Sequence, residues 1–108
     1  MKFLRFLMAD VEKAADIAQI GDKMWSNPPP GAKMLELYIC GGIAFPGQPT
    51  DKYVAIGVFE MENAEAIIGT SYPAMLAGAN IWWVPIQEVP VSHLAEGDLV
   101  DFEKKLKG

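Results

Sequence analysis

The feature that most constrains this chain is a pair of adjacent tryptophans, Trp82 and Trp83, within the stretch 80–91 (NIWWVPIQEVPV). The stretch is typical of a short β-strand, in which neighbouring side chains point to opposite faces. The two indoles therefore cannot share a face, and the strand needs cover on both sides. Helices of the same chain can supply one cover. The other must be a second sheet, a ligand or another subunit.

Alternation and helical spacing along the rest of the chain predict the element order β-α-β-β-α-β. Strands are expected at residues 2–8, 33–40, 53–60 and 81–86. The first helix is expected at 11–25 with Asp10 as its N-cap, and the second begins at residue 64 with Asn63 as its N-cap. Because proline inside a helix is costly, Pro73 predicts a break near residues 69–71. A short C-terminal helix is predicted at 98–107.

This order is that of the ferredoxin-like α+β fold, a four-stranded antiparallel sheet with helices on one face. At 108 residues, the chain has the size of a single domain. We expect the domain at residues 1–90 and a tail at 91–108 that docks on the domain or on a partner subunit.

The sheet face turned away from the helices is expected to be aromatic, with few polar groups, and too apolar to leave in water. Alternation assigns one tryptophan to it, together with one set from each other strand: Phe3, Arg5 and Leu7; Met34, Glu36, Tyr38 and Cys40; Tyr53, Ala55, Gly57 and Phe59.

Several strand sequences carry a resemblance to known proteins. They are the initial MKFLRF, the second strand KMLELY, the third strand YVAIGVFE and the VPI that ends the fourth. Over about residues 1–90 the chain resembles the dimeric α/β-barrel superfamily, and within it a small uncharacterised bacterial and archaeal family. The resemblance implies two sheets paired back to back, with a cavity between sheet and helices or between the sheets. Members of this superfamily include small monooxygenases, isomerases, haem-handling proteins and sensory ligand-binding domains.

The distribution of charged and apolar residues argues against nucleic acid and membrane as partners. Between Lys52 and Lys104 there is no lysine or arginine, so half of the chain cannot supply the basic stripe that nucleic-acid binding needs. The charge-free run 66–87 is interrupted by glycine, proline and polar residues, which argues against a membrane span. The N-terminus makes a poor signal peptide, and Cys40 is the single cysteine. We expect a cytoplasmic homo-oligomer, a dimer or a multiple of dimers, without nucleic acid or membrane.

The candidate ligand-binding residues are Arg5, Glu36, Tyr38, Tyr53, Gly57, Trp82 and His93. Arg5 is suited to hold a carboxylate and Glu36 to act as a buried base; the alternative, which we favour, is an ion pair at a dimer interface or exposure at the strand ends. The hydroxyls of the two tyrosines could orient a ligand or satisfy the backbone. Glycine within a strand marks close approach by a ligand or another backbone, or a bulge.

Each of the remaining candidates also has more than one interpretation. Trp82 and Trp83 suit a stacking platform for an aromatic ligand or the packing of a core and an interface. His93, the single histidine, suits a general base, an axial haem ligand or an exposed position in an irregular segment. One histidine and one cysteine predict no metal site, and the sequence leaves the cofactor unknown.

Three functional hypotheses arise from these residues. The first is a small-molecule-binding protein with an aromatic cavity on the sheet. The second is a cofactor-free enzyme on the same cavity, a monooxygenase or isomerase by analogy with the superfamily. The third is a structural oligomer without a ligand. Since one fold hosts many activities, the resemblance does not decide whether the protein is an enzyme.

Overall fold

The chain folds into an antiparallel sheet of four strands with the order β2-β3-β1-β4, and helices cover one face. The computed structural model describes residues 1–89 and 98–107. The strands are β1 Lys2–Asp10, β2 Ala32–Ile39, β3 Lys52–Met61 and β4 Asn80–Pro85; the helices are α1 Ala14–Ser26, α2 Ala64–Leu76 and α3 Asp98–Lys107; one 3₁₀ turn, Val11–Lys13, leads into α1. The predicted ferredoxin-like order is confirmed.

The two sheet faces differ in what covers them. The helix face packs against Ile17 of α1 and Ala66 and Ala74 of α2, and its core forms two apolar clusters. We call helix face the side chains of Phe3, Arg5, Leu7 and Ala9 in β1, Tyr53, Ala55, Gly57 and Phe59 in β3, and Ile81 and Trp83 in β4. We call open face the side chains of Leu4, Phe6, Met8, Val54, Ile56, Val58, Trp82 and Val84; Val54 is the one of these that is fully buried.

The predicted assignment of faces in β1 and β3 is therefore wrong. The sets containing Arg5 and Gly57, expected on the face turned away from the helices, lie on the helix face. Alternation sorts each strand into two sets but does not say which set faces the helices. Both sets in β1 and both sets in β3 are largely apolar, so hydropathy alone does not identify the set that the helices cover.

A bulge in β2 corrects a second expectation. Met34 lies opposite Phe59, and two residues later Glu36 lies opposite Val58, with the register shifted between them. Strict alternation places Met34 and Glu36 on one face. Because a bulge adds one residue to its strand, it reverses the facing of the residues after it. Met34 therefore lies on the helix face, whereas Glu36 and Tyr38 lie on the open face.

The junction between β1 and α1 is held by charges instead of the predicted cap. The Asp10 side chain makes no capping hydrogen bond. It forms an ion pair with Lys52 of β3, and its Oδ2 lies 3.8 Å from Nζ of Lys13. The Lys52 hydrogen bond lowers the pKa of Asp10. At the second helix the prediction is confirmed, because Asn63 Oδ1 accepts a hydrogen bond of 2.8 Å from the Ala66 amide.

Helix α2 continues through Pro73, so the predicted break near residues 69–71 is wrong. Two hydroxyls in the preceding turn donate to backbone carbonyls: Thr70 to Ala66 at 2.8 Å and Ser71 to Ile67 at 2.7 Å. Side-chain hydroxyls of this kind accompany helices that contain proline and bend without ending. No helix within residues 1–89 and 98–107 has the length and apolar character that a bilayer crossing requires.

We expect Gly57→Ala to destabilise the fold by about 1–3 kcal/mol, because overpacking a filled site forces neighbours to move. A Cβ at Gly57 would lie 2.8 Å from Cζ of Phe59, a ring that is fully buried, and 3.2 Å from the Glu36 carbonyl oxygen. Urea unfolding would measure the loss. Gly41→Ala is the matched control, since a Cβ there meets nothing within 4 Å. Equal stability of the two variants would contradict the prediction.

Candidate functional site

A cavity of about 760 Å³ lies between α1 and the helix face of the sheet. Its floor is formed by three strands, its roof by the 3₁₀ turn and α1, and one side by α2. The lining side chains are mostly apolar: Leu7, Val11, Ala14, Ile17, Ala18, Ile20, Gly21, Met24, Trp25, Met34, Leu37, Ile39, Ala55 and Ala74, with Arg5, Asp22, Ser26, Tyr53 and Thr70 as the polar members.

The cavity exists because the roof helix has a surface of small side chains. Ala14, Ala18 and Gly21 recur at helical spacing along α1 and line the cavity. Ile17 is the only residue of α1 that is buried. Side chains of this size cannot fill the distance at which a helix packs on a sheet, so a space remains above β1, β2 and β3.

Arg5 brings a charge to this apolar space. Its side chain is 6 % exposed, lines the cavity, and lies opposite Gly57 on one side and Trp83 on the other. Within the part of the chain that the structure describes, its Nε finds no hydrogen-bond partner and no carboxylate forms an ion pair with it. Burial lowers the pKa of Arg5 to about 10, so the guanidinium remains protonated at neutral pH.

The partners that Arg5 does have are aromatic. Its guanidinium carbon lies 4.6 Å from the ring centre of Phe59 and 5.9 Å from that of Trp83. Cation–π contacts of this kind contribute about 0.5–2 kcal/mol. The effective cost of burying an ion is several kcal/mol. The aromatic contacts thus offset only part of the cost, and the charge remains available to an anion.

An aromatic cluster holds these rings in place. Phe59 contacts Trp25 at 5.0 Å between ring centres and Trp83 at 5.2 Å, and Trp83 meets Phe3 edge-on at 6.1 Å. The Trp83 indole donates to Ser71 Oγ of α2 at 2.7 Å. Because Trp25 belongs to α1 and Ser71 to α2, the cluster ties both helices to the sheet beside Arg5.

Tyr53 is the second predicted site residue that lines the cavity. Tyr53 lies opposite Ala9 on the helix face. It is near the start of β3, next to the end of β1 from which the chain passes into α1. Burial raises the pKa of Tyr53, and the charge of Arg5 acts in the opposite direction. Its phenol therefore stays protonated at neutral pH and can donate a hydrogen bond in the cavity.

The structure separates the other predicted residues from the cavity. Glu36 and Tyr38 hydrogen-bond to each other at 3.0 Å on the open face, and this contact raises the pKa of Tyr38. Trp82 stacks on Phe6, with ring centres 5.4 Å apart, on the same open face. Consequently Arg5 and Glu36 do not form the predicted pair.

Two predicted residues remain. The close approach at Gly57 is made by the ring of Phe59, two residues farther along the same strand. This glycine therefore makes room for the ring on which Arg5 stacks. His93 lies outside the described residues.

Sequence reasoning missed the roof of the cavity. None of the α1 residues that line it is among the candidates, although the recurrence of alanine and glycine on one side of the predicted helix is a signal that could have found them. Within residues 1–89 and 98–107, no group of three histidine, cysteine, aspartate or glutamate side chains is placed to hold a metal ion.

Comparisons with known proteins show the fold. The chain matches no protein-family profile and no curated protein. It is similar to the C-terminal domain of the MgtC protein from Mycobacterium tuberculosis, with a TM-score of 0.60 and 5 % identity over 83 % of this chain and 92 % of that one. The fold is therefore shared, and the ferredoxin-like class is established.

Two further structures are similar at lower scores. SnoaB, a cofactor-independent oxygenase from Streptomyces nogalater, has a TM-score of 0.47 and 11 % identity over 83 % of this chain and 96 % of that one. A DUF3240 family protein from Shewanella baltica has a TM-score of 0.44 and 14 % identity over 83 % and 94 % of the two chains.

We expect Ser71→Ala to lower the free energy of unfolding by about 1–2 kcal/mol, because the indole N–H of Trp83 loses its acceptor. Thr70→Val is the control, since its hydroxyl bonds only within α2, and should cost less than about 1 kcal/mol. A double-mutant cycle by urea unfolding checks the assignment. If Ser71→Ala costs the same in a Trp83→Phe background, the hydrogen bond does not carry the effect.

Proposed function

We propose that this protein binds a small molecule in the cavity between α1 and the sheet. The observation that carries the proposal is the combination of an apolar cavity of about 760 Å³ with a buried Arg5 at its wall, whose Nε has no partner among the residues that the structure describes. Ligand sites are typically cavities of roughly 300–1,000 Å³ with apolar walls and a few placed polar groups. This cavity has that size and that composition.

A purely structural role for the cavity is the less favourable interpretation. Larger side chains at the small positions of α1 would fill the space and bury more apolar surface, which stabilises a domain by roughly 25 cal/mol per Å². The chain instead has Ala14, Ala18 and Gly21 there, above a charged side chain. Such a sacrifice of core packing is expected where a ligand completes the core.

Binding is better supported than catalysis. Among the described residues that line the cavity, the polar groups are the guanidinium of Arg5, the carboxylate of Asp22 and the hydroxyls of Ser26, Tyr53 and Thr70. No nucleophile paired with a general base stands out in this set, and Asp22 is exposed. The hypothesis of a cofactor-free enzyme stays a prediction, as does the cytoplasmic location.

We expect Gly21→Leu to weaken binding of a neutral apolar probe, 2-naphthamide, by at least tenfold, because the new side chain occupies the cavity. Gly21 lines the cavity, and a Cβ built on it meets nothing within 4 Å, so the variant should fold. Isothermal titration calorimetry would measure the affinity.

Gly21→Ala is the matched control for this experiment. It should leave the affinity within about twofold while stabilising the helix by roughly 0.5–1 kcal/mol, because alanine loses less backbone entropy than glycine. Equal affinities of the wild type and Gly21→Leu would contradict the location of the site. Absence of binding to the wild type would count against the proposal for this class of probe.

The partner that we propose for the open face is a second copy of this chain. The centre of that face is apolar, and Trp82 and Val84 are 37 % and 40 % exposed. Its ends carry both signs of charge, with Lys2, Lys33 and Glu60 at one end and Asp10 and Lys52 at the other. An apolar centre with a charged rim is the usual composition of a protein interface. The back-to-back pairing of sheets is also what the family resemblance implies.

We expect Val84→Lys to weaken this dimer by at least tenfold, because the ammonium would be buried between two sheets. Val84 is exposed in the monomer, so the monomer should tolerate the change. Ile68→Lys introduces the same charge on α2, away from the open face, at a residue that is 63 % exposed, and should have no effect. Sedimentation equilibrium distinguishes the outcomes. A monomeric wild type would exclude the dimer.

A further inference from the structure

We propose that the ligand is a monoanion with an apolar body, whose carboxylate or similar planar acid group binds the guanidinium of Arg5. This inference rests on the proposed function, since it names the ligand class of the same cavity. It is drawn from the position of the buried Arg5, from its Nε, which has no partner among the described residues, and from the charges of the described residues that line the cavity.

The location of Arg5 makes it an anchor at the floor of the cavity. It is 6 % exposed, far from the exposure of a typical surface arginine, and it lies at the centre of the sheet between Gly57 and Trp83. A ligand group that reaches Arg5 is therefore largely removed from water on the side of the sheet. Electrostatic attraction is stronger there than at the surface, because fewer water molecules screen it.

The aromatic contacts of Arg5 leave Nε without a hydrogen-bond partner among the described residues. The rings of Phe59 and Trp83 lie 4.6 and 5.9 Å from the guanidinium carbon, and such cation–π contacts do not replace hydrogen bonds to the N–H groups. The N–H groups point outward in the plane of the guanidinium, where aromatic rings do not accept them well. Nε is the clearest case, because it is buried and has no partner among the described residues. A carboxylate matches this planar fork with two parallel hydrogen bonds.

The charges around the cavity favour a single negative charge on the ligand. Among the described lining residues Arg5 is the one cation, so one anionic group neutralises the site and a second would be buried unpaired. Asp22 is the one lining carboxylate in that set, and it is exposed on α1, where water and salt screen it. The walls otherwise offer aliphatic and aromatic surface to the body of the ligand.

The alternative is that Arg5 is purely structural and serves to hold Phe59 and Trp83. The two roles predict opposite effects of Arg5→Met, a change of similar length that removes the charge. If the aromatic contacts are what Arg5 contributes, the ligand-free variant loses them and its melting temperature falls. If Arg5 is held for an anion, the variant loses an uncompensated buried charge, and its melting temperature is equal to or above that of the wild type.

The test compares three probes on the full chain at pH 7 by isothermal titration calorimetry: 2-naphthoate, its neutral isostere 2-naphthamide and the dianion 2-naphthyl phosphate. For the wild type we expect 2-naphthoate to bind at least tenfold tighter than either of the others. In Arg5→Met the ratio of naphthoate to naphthamide affinity should drop to about one. Lys23→Met, which removes one positive charge from the exposed side of the same roof helix, should keep the wild-type ratio.

The outcomes separate this inference from the proposed function. Equal affinities of naphthoate and naphthamide for the wild type, with loss of both in Gly21→Leu, would overturn the anion and leave the cavity as a site. If naphthyl phosphate binds most tightly of the three probes, the inference that the ligand carries a single negative charge is wrong. A lower melting temperature of ligand-free Arg5→Met, with the naphthoate preference retained, would assign Arg5 a structural role. The wild-type comparison decides the matter even if Arg5→Met does not fold.

Discussion

The structure depends on one unusual arrangement, a charged side chain at the centre of the sheet face that the helices cover. Arg5 lies in a row across that face, with Gly57 and Trp83 directly opposite it in the neighbouring strands. On either side of this row lie the two apolar clusters of the core, one around Leu7 and Ala55, the other around Phe59. A continuous core would pack over this row; here the row divides the core, and the cavity opens beside it.

Each neighbour of Arg5 is explained by what the charge requires. Gly57 has no side chain, so the ring of Phe59 can fold over it and lie 4.6 Å from the guanidinium. Trp83 contributes a second ring and is held by Ser71. The small side chains of α1 complete the arrangement from above, because a helix with larger residues would fill the space beside the guanidinium with apolar groups. Residues of β3, β4, α1 and α2 thus together form the surroundings of Arg5 and the cavity beside it.

The sequence allowed the order of elements and the fold class to be predicted, because alternation and helical periodicity depend on local residues. It also allowed Arg5 and Tyr53, which line the cavity, to be named as candidate site residues. It could not show which face of the sheet meets the helices, since both alternating sets of β1 and of β3 are largely apolar. The set of Ile56 and Val58 is the more apolar in β3, yet it lies on the open face. The bulge after Met34 reversed the facing of the β2 residues that follow it, and the pattern of residue types in β2 did not predict this bulge.

The two faces therefore invert the usual relation between polarity and burial. The buried face carries a cavity and a charge that has no ion-pair partner in the part of the chain that the structure describes, whereas the open face is apolar at its centre. A monomer with an empty cavity would bear both costs, the desolvation of Arg5 and the hydration of the ring of Trp82 and the side chain of Val84. An anion in the cavity removes the first cost, and a second copy on the open face removes the second. Because the two surfaces lie on opposite sides of one sheet, strand β1 contributes alternate residues to each, and the ligand and the partner would stabilise the same strands.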